Sequence, residues 1–256
     1  MHDHIPEHCP KPFGWGECQT SPGTFFLIME FLHLINEHPD PEAISRVISD
    51  LHKSSAGSSP DGKFGFPVPN CHGKIVQPND WDSNWSRYFT TLITAFYNAD
   101  MELNGPDAKY DQTFQAFKQH VIPRLLEPLQ ADGRVLQPCL VHGDLWHENI
   151  GLNEETDEPM IFDASMFYGH NEYEIGTWRT VFVAFDESYR KQYLLHSPPS
   201  EPVDEWEDRN RLYSIPYNIT HSAGWLGAAE TTRPRIMEDM QFLINKYAPR
   251  AAVLDT

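Results

Sequence analysis

The 256-residue sequence is poor in basic residues and has no long apolar run. Nineteen lysines and arginines stand against 37 aspartates and glutamates, which gives a formal net charge of −18. A surface of this charge repels phosphate backbones and anionic lipid, so we expect no binding to nucleic acid or to a membrane. Because no segment approaches about 18 consecutive apolar residues and no basic-then-apolar leader is present, we expect a cytoplasmic protein.

The cysteines lack the spacing of a metal site or of a disulfide framework. The sequence has four of them, and no two form a C-x-x-C pair. In a chain of this length without an export signal, such cysteines are more often free thiols than partners in disulfides. We therefore expect Cys9, Cys18, Cys71 and Cys139 to be unpaired.

Hydrophobic patterning predicts several amphipathic helices and a few short strands. The apolar run 25–29 follows a Ser-Pro-Gly turn signal and predicts a buried strand. Asp40 followed by Pro41 is typical of a helix N-terminus, and the apolar spacing after it predicts a helix over 41–53. The turn-rich segment 54–80 predicts a long loop. The same spacing rules predict helices in 81–97, 107–130 and 235–247, and strands at 139–141 and 160–162.

Polar residues with a particular spacing follow the two predicted strands at 139–141 and 160–162. The first ends in His142-Gly143-Asp144-Leu145-Trp146-His147-Glu148-Asn149, and the second ends at Asp163, which gives H-x-D-x-x-x-x-N, a strand, then D. Phosphoryl transfer needs a base for the acceptor hydroxyl and oxygen ligands for Mg²⁺. Asp144 is the candidate base, His142 would orient its loop, and Asn149 and Asp163 are the candidate metal ligands. The pattern predicts a phosphotransferase.

A second interpretation of the same residues is a metal-dependent hydrolase. His142, Asp144 and His147 could in principle bind a metal ion. Their spacing, however, is neither an i, i+4 histidine pair on a helix nor an H-x-H cluster, which are the usual patterns of such sites. The hydrolase interpretation also leaves Asp163 without a role.

Longer motifs around these residues resemble one family. HGDLW-x-x-N is followed by IFD-x-x-x-FYGH-x-EYE, and upstream lie PKPFGWG, FFLIMEF and FGFPVPNCHGKIVQPNDWDSNW. The sequence thereby resembles the fructosamine-3-kinases, also called ketosamine or protein-ribulosamine 3-kinases, over nearly its whole length. The resemblance implies that ATP and Mg²⁺ are used to phosphorylate the 3-hydroxyl of the sugar in a ketosamine-bearing protein or small amine. The phosphate makes the adduct unstable, so the implied outcome is deglycation.

The resemblance also implies roles for further residues. It makes Asp144 the catalytic base and places the adenine-binding hinge between the two kinase lobes at Glu30, Phe31 and Leu32. It assigns the acceptor substrate to Trp146, Tyr168 and His170. The alternatives are that Trp146 is a core residue and that the segment with Tyr168 and His170 packs beneath the metal ligand. Glu172 and Glu174 would cap the helix that follows.

The implied fold is α+β and mainly helical: the C-terminal lobe of the protein-kinase-like fold with a remnant of the N-lobe sheet. Residues 1–38 would form the remnant strands and the hinge, and residues 39–256 the helical lobe with the catalytic loop. Only 29 residues precede Glu30, whereas five strands and a helix need roughly forty. No G-x-G-x-x-G is present, and Lys11, the one lysine before the hinge, is flanked by proline.

Most of the nucleotide-covering lobe is therefore expected to be missing from this sequence, which predicts a weak or inactive kinase. A truncated product, a pseudokinase and an incomplete gene model all stay open. A catalytically inactive binding or scaffold protein is the competing function. The apolar face that a missing lobe would leave uncovered also predicts self-association.

Overall fold

The computed structural model describes residues 1–35 and 37–248, so Asn36 of the predicted domain 1–38 and residues 249–256 of the predicted domain 39–256 lie outside it. The described residues form eight α-helices and nine short strands. The helices are α1 Pro41–Ser55, α2 Trp85–Asn104, α3 Ala108–Ala116, α4 Ile122–Leu126, α5 Asn171–Glu174, α6 Glu187–His196, α7 Trp206–Gly224 and α8 Ala229–Tyr247. The strands are β1 Pro12–Glu17, β2 Phe25–Met29, β3 Leu34–Ile35, β4 Asn70–His72, β5 Ile75–Gln77, β6 Cys139–Val141, β7 Ile150–Asn153, β8 Pro159–Ile161 and β9 Phe167–Gly169.

Helix α1 begins where the sequence predicts. The side chain of Asp40 accepts hydrogen bonds from the backbone N–H groups of Glu42 and Ala43, and Pro41 occupies the first turn. Its apolar stripe, which includes Ile44 and Leu51, is fully buried against α6 and the strand that carries the catalytic loop. The predicted helix over 41–53 is confirmed and extends two residues further.

A larger core joins α2, α7 and α8. Asn84 caps α2 by accepting from the N–H of Arg87, so the helix begins four residues after the start of the predicted range. Its predicted aromatic stripe is buried, with Trp85 at the centre, and the indole N–H of Trp85 donates to the Tyr213 hydroxyl of α7 at 2.7 Å. Burial of this stripe against α7 fixes the position of the helix whose C-terminal end forms one wall of the site.

The prediction that strand β2 is buried is wrong. β1 and β2 pair as an antiparallel hairpin, and every residue of β2 is exposed, with Phe25 at 74%. The apolar composition correctly indicates a strand, but burial needs a layer packed on its face. Among the described residues no third strand joins this hairpin.

Three small antiparallel sheets hold the loops between them in place. β6 pairs with β9, and β7 lies between β3 and β8. The catalytic loop runs from β6 to β7, and the segment with Asp163 runs from β8 to β9. The segment 54–80, predicted as a loop, also contains the β4–β5 hairpin.

None of the helices in the described ranges combines the length and apolarity needed to cross a bilayer. The four cysteines carry no disulfide, as expected from their spacing.

Candidate active site

The loop 142–149, which the sequence predicts to be the catalytic loop, is held in place by His142. Its Nε2–H donates to the Phe162 carbonyl at 2.8 Å, so its Nδ1 is free to accept from the backbone N–H of Asp144 at 3.3 Å. Gly143 has φ of +79°, and a Cβ there would collide with the carbonyl oxygen of Ser165. His142 thus contacts Phe162 and Asp144, and the close approach of Gly143 to Ser165 links the loop to the segment that follows Asp163; the orienting role of His142 stays a prediction.

Two buried glutamates differ from their predicted role as helix caps. Glu174, which is fully buried, accepts hydrogen bonds from the backbone N–H groups of His142 and Gly143. Glu172 instead forms a bidentate ion pair with the guanidinium of Arg209, at 2.8 and 3.1 Å. The predicted capping role is therefore wrong for both glutamates. A buried carboxylate accepts hydrogen bonds from the donors that tertiary packing brings to it, and sequence spacing does not show which donors these are.

Asn149 and Asp163 face the same space as Asp144. The side-chain N–H₂ of Asn149 donates to the carbonyl and Oδ2 of Asp144, at 2.8 and 3.3 Å, which leaves its Oδ1 for another partner. Asp163 has a left-handed backbone, with φ of +57°, and an exposed side chain. Asp is one of the few residues that adopt this conformation readily, and the Ser165 N–H closes the turn on the His142 carbonyl at 2.8 Å.

A cleft of about 270 Å³ brings the predicted residues together. Asp144, Asn149, Asp163 and Trp146 all lie on its surface. Trp146 is half-buried, and its ring lies 6.4 Å from that of Trp225 in a T-shaped arrangement. The indole therefore belongs to the cleft wall while part of it packs on the core.

Several cleft residues were missed by sequence reasoning. The β4–β5 hairpin contributes His72 and Lys74, and the end of α7 contributes Tyr217, Thr220 and His221. His72 Nε2 lies 3.4 Å from Asp144 Oδ1. His72 and Lys74 lie in the motif FGFPVPNCHGKIVQPNDWDSNW, to which the resemblance assigns no role, and no local motif marks the α7 residues, which reach the loop only through tertiary packing.

The structure corrects the assignment of Tyr168 and His170 to the acceptor pocket. His170 is fully buried, with its ring nitrogens 2.8 Å from the Tyr213 hydroxyl and 2.9 Å from the Ser200 hydroxyl. Tyr168 accepts a hydrogen bond from the Ser58 hydroxyl and packs near Phe66. Neither lines the cleft, and the alternative of a packed segment describes them better.

A second cavity, of about 440 Å³, is lined by residues that neighbour the predicted metal ligands in sequence. Phe162 lines it while the next residue, Asp163, lines the cleft; likewise Ile150 lines it while Asn149 lines the cleft. The predicted hinge, Glu30, Phe31 and Leu32, leads directly into β3, whose residues also line this cavity. The remaining lining residues are His38, His147, Glu148 and Gly151.

The geometry does not favour a hydrolase metal site at His142, Asp144 and His147. Both ring nitrogens of His142 are used inside the loop, and His147 Nδ1 faces the backbone N–H of Ala184 at 3.3 Å. Within residues 1–35 and 37–248, no three His, Cys, Asp or Glu side chains are grouped so that they could hold a metal ion.

Comparison with protein-family models gives a match over most of the chain. The family model described as Fructosamine kinase matches residues 1–242. The chain belongs to the fructosamine kinase family. Because the match includes both the catalytic loop and α7, it covers every wall of the cleft.

Curated relatives carry names of the same kind. The chain is 30% identical over 213 residues to the chloroplastic protein-ribulosamine 3-kinase of Arabidopsis thaliana, covering 83% of this chain and 60% of the relative. It is 33% identical over 160 residues to ketosamine-3-kinase of Mus musculus, covering 62% of this chain and 48% of the relative. The chain thus spans about 60% of the length of the plant relative and about half that of the mouse relative.

Solved structures confirm the fold. A crystal structure named "Putative fructosamine-3-kinase" from Thermobifida fusca has a TM-score of 0.70 at 18% identity, covering 92% of this chain and 73% of that one. An aminoglycoside phosphotransferase, APH(4)-Ia, has a TM-score of 0.59 at 13% identity, covering 96% and 80%. The expected fold class, the mainly helical C-terminal lobe of the protein-kinase-like fold with a small sheet beside it, is confirmed.

Proposed function

We propose that this protein transfers the γ-phosphoryl group of ATP to the 3-hydroxyl of the sugar in protein-bound or small-molecule ketosamines, leading to deglycation. Membership of the fructosamine kinase family supports this proposal. The observation that carries it is the convergence of Asp144, Asn149 and Asp163 on one cleft beside Trp146.

Asp144 is the proposed general base. The 3-hydroxyl oxygen forms a bond to the γ-phosphorus as the bond from that phosphorus to the bridging oxygen of ADP breaks, and Asp144 accepts the hydroxyl proton. The products are ADP and the 3-phosphorylated ketosamine. The hydrogen bond from Asn149 to Oδ2, together with the one that the Asp144 backbone N–H donates to His142 Nδ1, holds the carboxylate in place, so it does not need to reorient during the transfer.

Asn149 Oδ1 and the Asp163 carboxylate are the atoms that would hold Mg²⁺. Both are hard oxygen donors, and Mg²⁺ typically takes only one or two protein ligands of this kind while keeping waters and substrate phosphates. The donor set therefore fits Mg²⁺. When bound, the cation neutralises charge on the phosphate oxygens.

The second cavity is the proposed nucleotide site. In this proposal adenine binds at the backbone of Glu30, Phe31 and Leu32. These residues belong to the proposed first domain, residues 1–38, and the helical lobe begins at residue 39. Asn149 and Asp163 line the cleft, and their sequence neighbours Ile150 and Phe162 line the second cavity. ATP in the second cavity and the acceptor in the cleft would bring the γ-phosphate close to Asp144.

The cleft wall suits a ketosamine acceptor. The half-buried indole of Trp146 offers an apolar face to a sugar ring, and Trp225 extends that surface. A ketosamine also carries a cationic amine, which an acidic protein of net charge −18 attracts. These features support a ketosamine as the acceptor class.

The direct test is transfer of labelled γ-phosphate from Mg·ATP to fructosyl-lysine and ribulosyl-lysine peptides. Asp144→Ala should lower kcat by roughly 10²–10⁴-fold, the usual contribution of a general base. Glu155→Gln, which changes an exposed carboxylate on a distant turn, is the matched control and should leave kcat unchanged. Equal transfer by wild type and Asp144→Ala, or none by wild type at millimolar Mg·ATP, would contradict the proposal.

A second candidate function is a non-catalytic binding or scaffold protein that keeps the acceptor cleft. The exposed apolar β1–β2 hairpin, with Trp15 at 77% exposure, favours it because such surfaces mark contact sites. It predicts that a ketosamine peptide binds in calorimetry with the same affinity whether or not ATP and Mg²⁺ are present. Tighter binding in the presence of Mg·ATP, together with phosphate transfer, would exclude it.

A further inference from the structure

The β4–β5 hairpin brings a histidine against the proposed base from 72 positions earlier in the chain. His72 Nε2 lies 3.4 Å from Asp144 Oδ1 and 3.1 Å from Thr220 Oγ1, and its side chain is 11% exposed. The ring packs between Phe96 and Tyr217, at centroid distances of 5.8 and 6.1 Å. This packing holds the His72 ring with Nε2 beside both Thr220 and Asp144.

The neighbours of His72 identify which ring nitrogen carries the proton. Thr220 Oγ1 donates its own hydrogen to the Tyr217 carbonyl at 3.0 Å, so it offers only lone pairs to His72. The Asp144 carboxylate, when ionised, also only accepts. Nε2 must then be the donor: it bonds to Thr220 Oγ1, and Asp144 Oδ1 lies 3.4 Å away as a second acceptor. The buried Nδ1, which has no partner among the described residues, is the unprotonated nitrogen.

The hairpin that carries His72 is fastened to the segment after Asp163. The Asn70 side chain donates to the Met166 carbonyl, and the Gln77 side chain donates to the Ser165 carbonyl at 3.1 Å. The Ser165 hydroxyl donates in turn to the Cys71 carbonyl. These hydrogen bonds hold the hairpin against the segment after Asp163, and His72 brings it into contact with Asp144.

We infer that His72 is a positioning residue for the Asp144 carboxylate, an inference that rests on the proposed function for its effect on catalysis. Its Nε2 lies 3.4 Å from Oδ1 while the Asn149 amide donates to Oδ2, so each carboxylate oxygen has a donor group beside it. Two donors on different oxygens fix the plane of the carboxylate and leave the remaining lone pairs for the acceptor hydroxyl. Such contacts are often long before the substrate binds and shorten in the complex.

The kinetic test compares two substitutions that separate hydrogen bonding from packing. His72→Phe keeps an aromatic ring between Phe96 and Tyr217 but removes the donor, and we expect kcat to fall about tenfold with KM for ATP unchanged. His72→Gln restores an N–H near the same place and should recover kcat to within about threefold of wild type. Equal kcat in His72→Phe and wild type, or equal losses in the two variants, would overturn the inference.

A spectroscopic test does not depend on turnover. In protein labelled with ¹⁵N at histidine, the His72 signal, assigned by its loss in His72→Gln, should show the Nε2–H tautomer. Asp144→Ala should shift that signal and lower the pKa of His72; burial already lowers this pKa, and the Asp144 charge opposes the effect. The other ionisable groups near the ring, His142 and Tyr217, are unchanged in this variant.

The kinetic and spectroscopic tests together distinguish failure of the proposed function from failure of the inference about His72. An absence of phosphate transfer by the wild-type protein would contradict the proposed function and leave the contact to the spectroscopic measurement. An unchanged His72 signal and pKa in Asp144→Ala would contradict the inference whether or not the protein is active.

Discussion

Replacing Glu174 by Gln should loosen the catalytic loop and lower stability together. The carboxylate accepts from two successive backbone N–H groups, those of His142 and Gly143, and its side chain is fully inaccessible to solvent. An amide of the same shape has only one oxygen, so its N–H₂ group must face one of these donors. One buried N–H would then lose its acceptor just before Asp144.

The magnitude follows from the contacts that are lost. A buried donor left without a partner costs about 1–3 kcal/mol, and the remaining hydrogen bond loses the added strength of a charged acceptor. We expect the free energy of unfolding to fall by about 2–4 kcal/mol. The substitution changes side-chain volume very little, so cavity formation does not contribute.

Urea unfolding at pH 7.5 gives the stability change, and hydrogen exchange of the His142 and Gly143 amides reports the loop itself. Both amides should exchange faster in Glu174→Gln by more than global destabilisation accounts for. The exposed variant Glu155→Gln should change neither quantity. A loss below about 0.5 kcal/mol, or unchanged exchange at the two amides, would refute the reasoning.

Three further predictions concern the rest of the molecule. Burial lowers the pKa of His170 to about 4, so the unfolded chain, with its ordinary value of 6.5, takes up this proton first as the pH falls. Stability is then lost between pH 6.5 and 4 at about 1.4 kcal/mol per pH unit. His170→Gln should flatten that slope in urea unfolding, and an unchanged slope would contradict this. Arg233→Met removes the guanidinium that pairs with fully buried Asp100 at 2.9 Å and should cost about 3–5 kcal/mol by the same assay, whereas a cost below about 1 kcal/mol would show that Asp100 finds other partners. Trp15→Glu on the exposed hairpin should reduce self-association in sedimentation velocity, and a wild-type protein that is already a monodisperse monomer would exclude self-association through this face.

The predictable parts of the structure are those with local signals. The Asp40–Pro41 N-terminus of α1 depends only on residues within one turn, and the stripe of α2 depends only on helical spacing. The convergence of Asp144, Asn149 and Asp163 follows from short strands that end in polar residues, a pattern that lies within 25 residues of sequence.

The remaining parts depend on contacts between distant segments. Whether β2 is buried is decided by what packs on the hairpin, not by its apolar composition. Helix α7 has weak periodicity and carries Pro216 in its interior, so nothing local marks it as a wall of the cleft. His72 lies in a turn-rich segment that predicts a loop, and only the fold brings it to Asp144.

The central claim is that Asn149, Asp163 and Asp144 form one site for Mg·ATP and an acceptor hydroxyl. A crystal structure of the protein with Mg²⁺ and a non-hydrolysable ATP analogue tests it most directly. We expect a cation bound by Asn149 Oδ1 and the Asp163 carboxylate, with the terminal phosphate facing Asp144. A nucleotide bound elsewhere, or a cation that contacts neither side chain, would contradict the account.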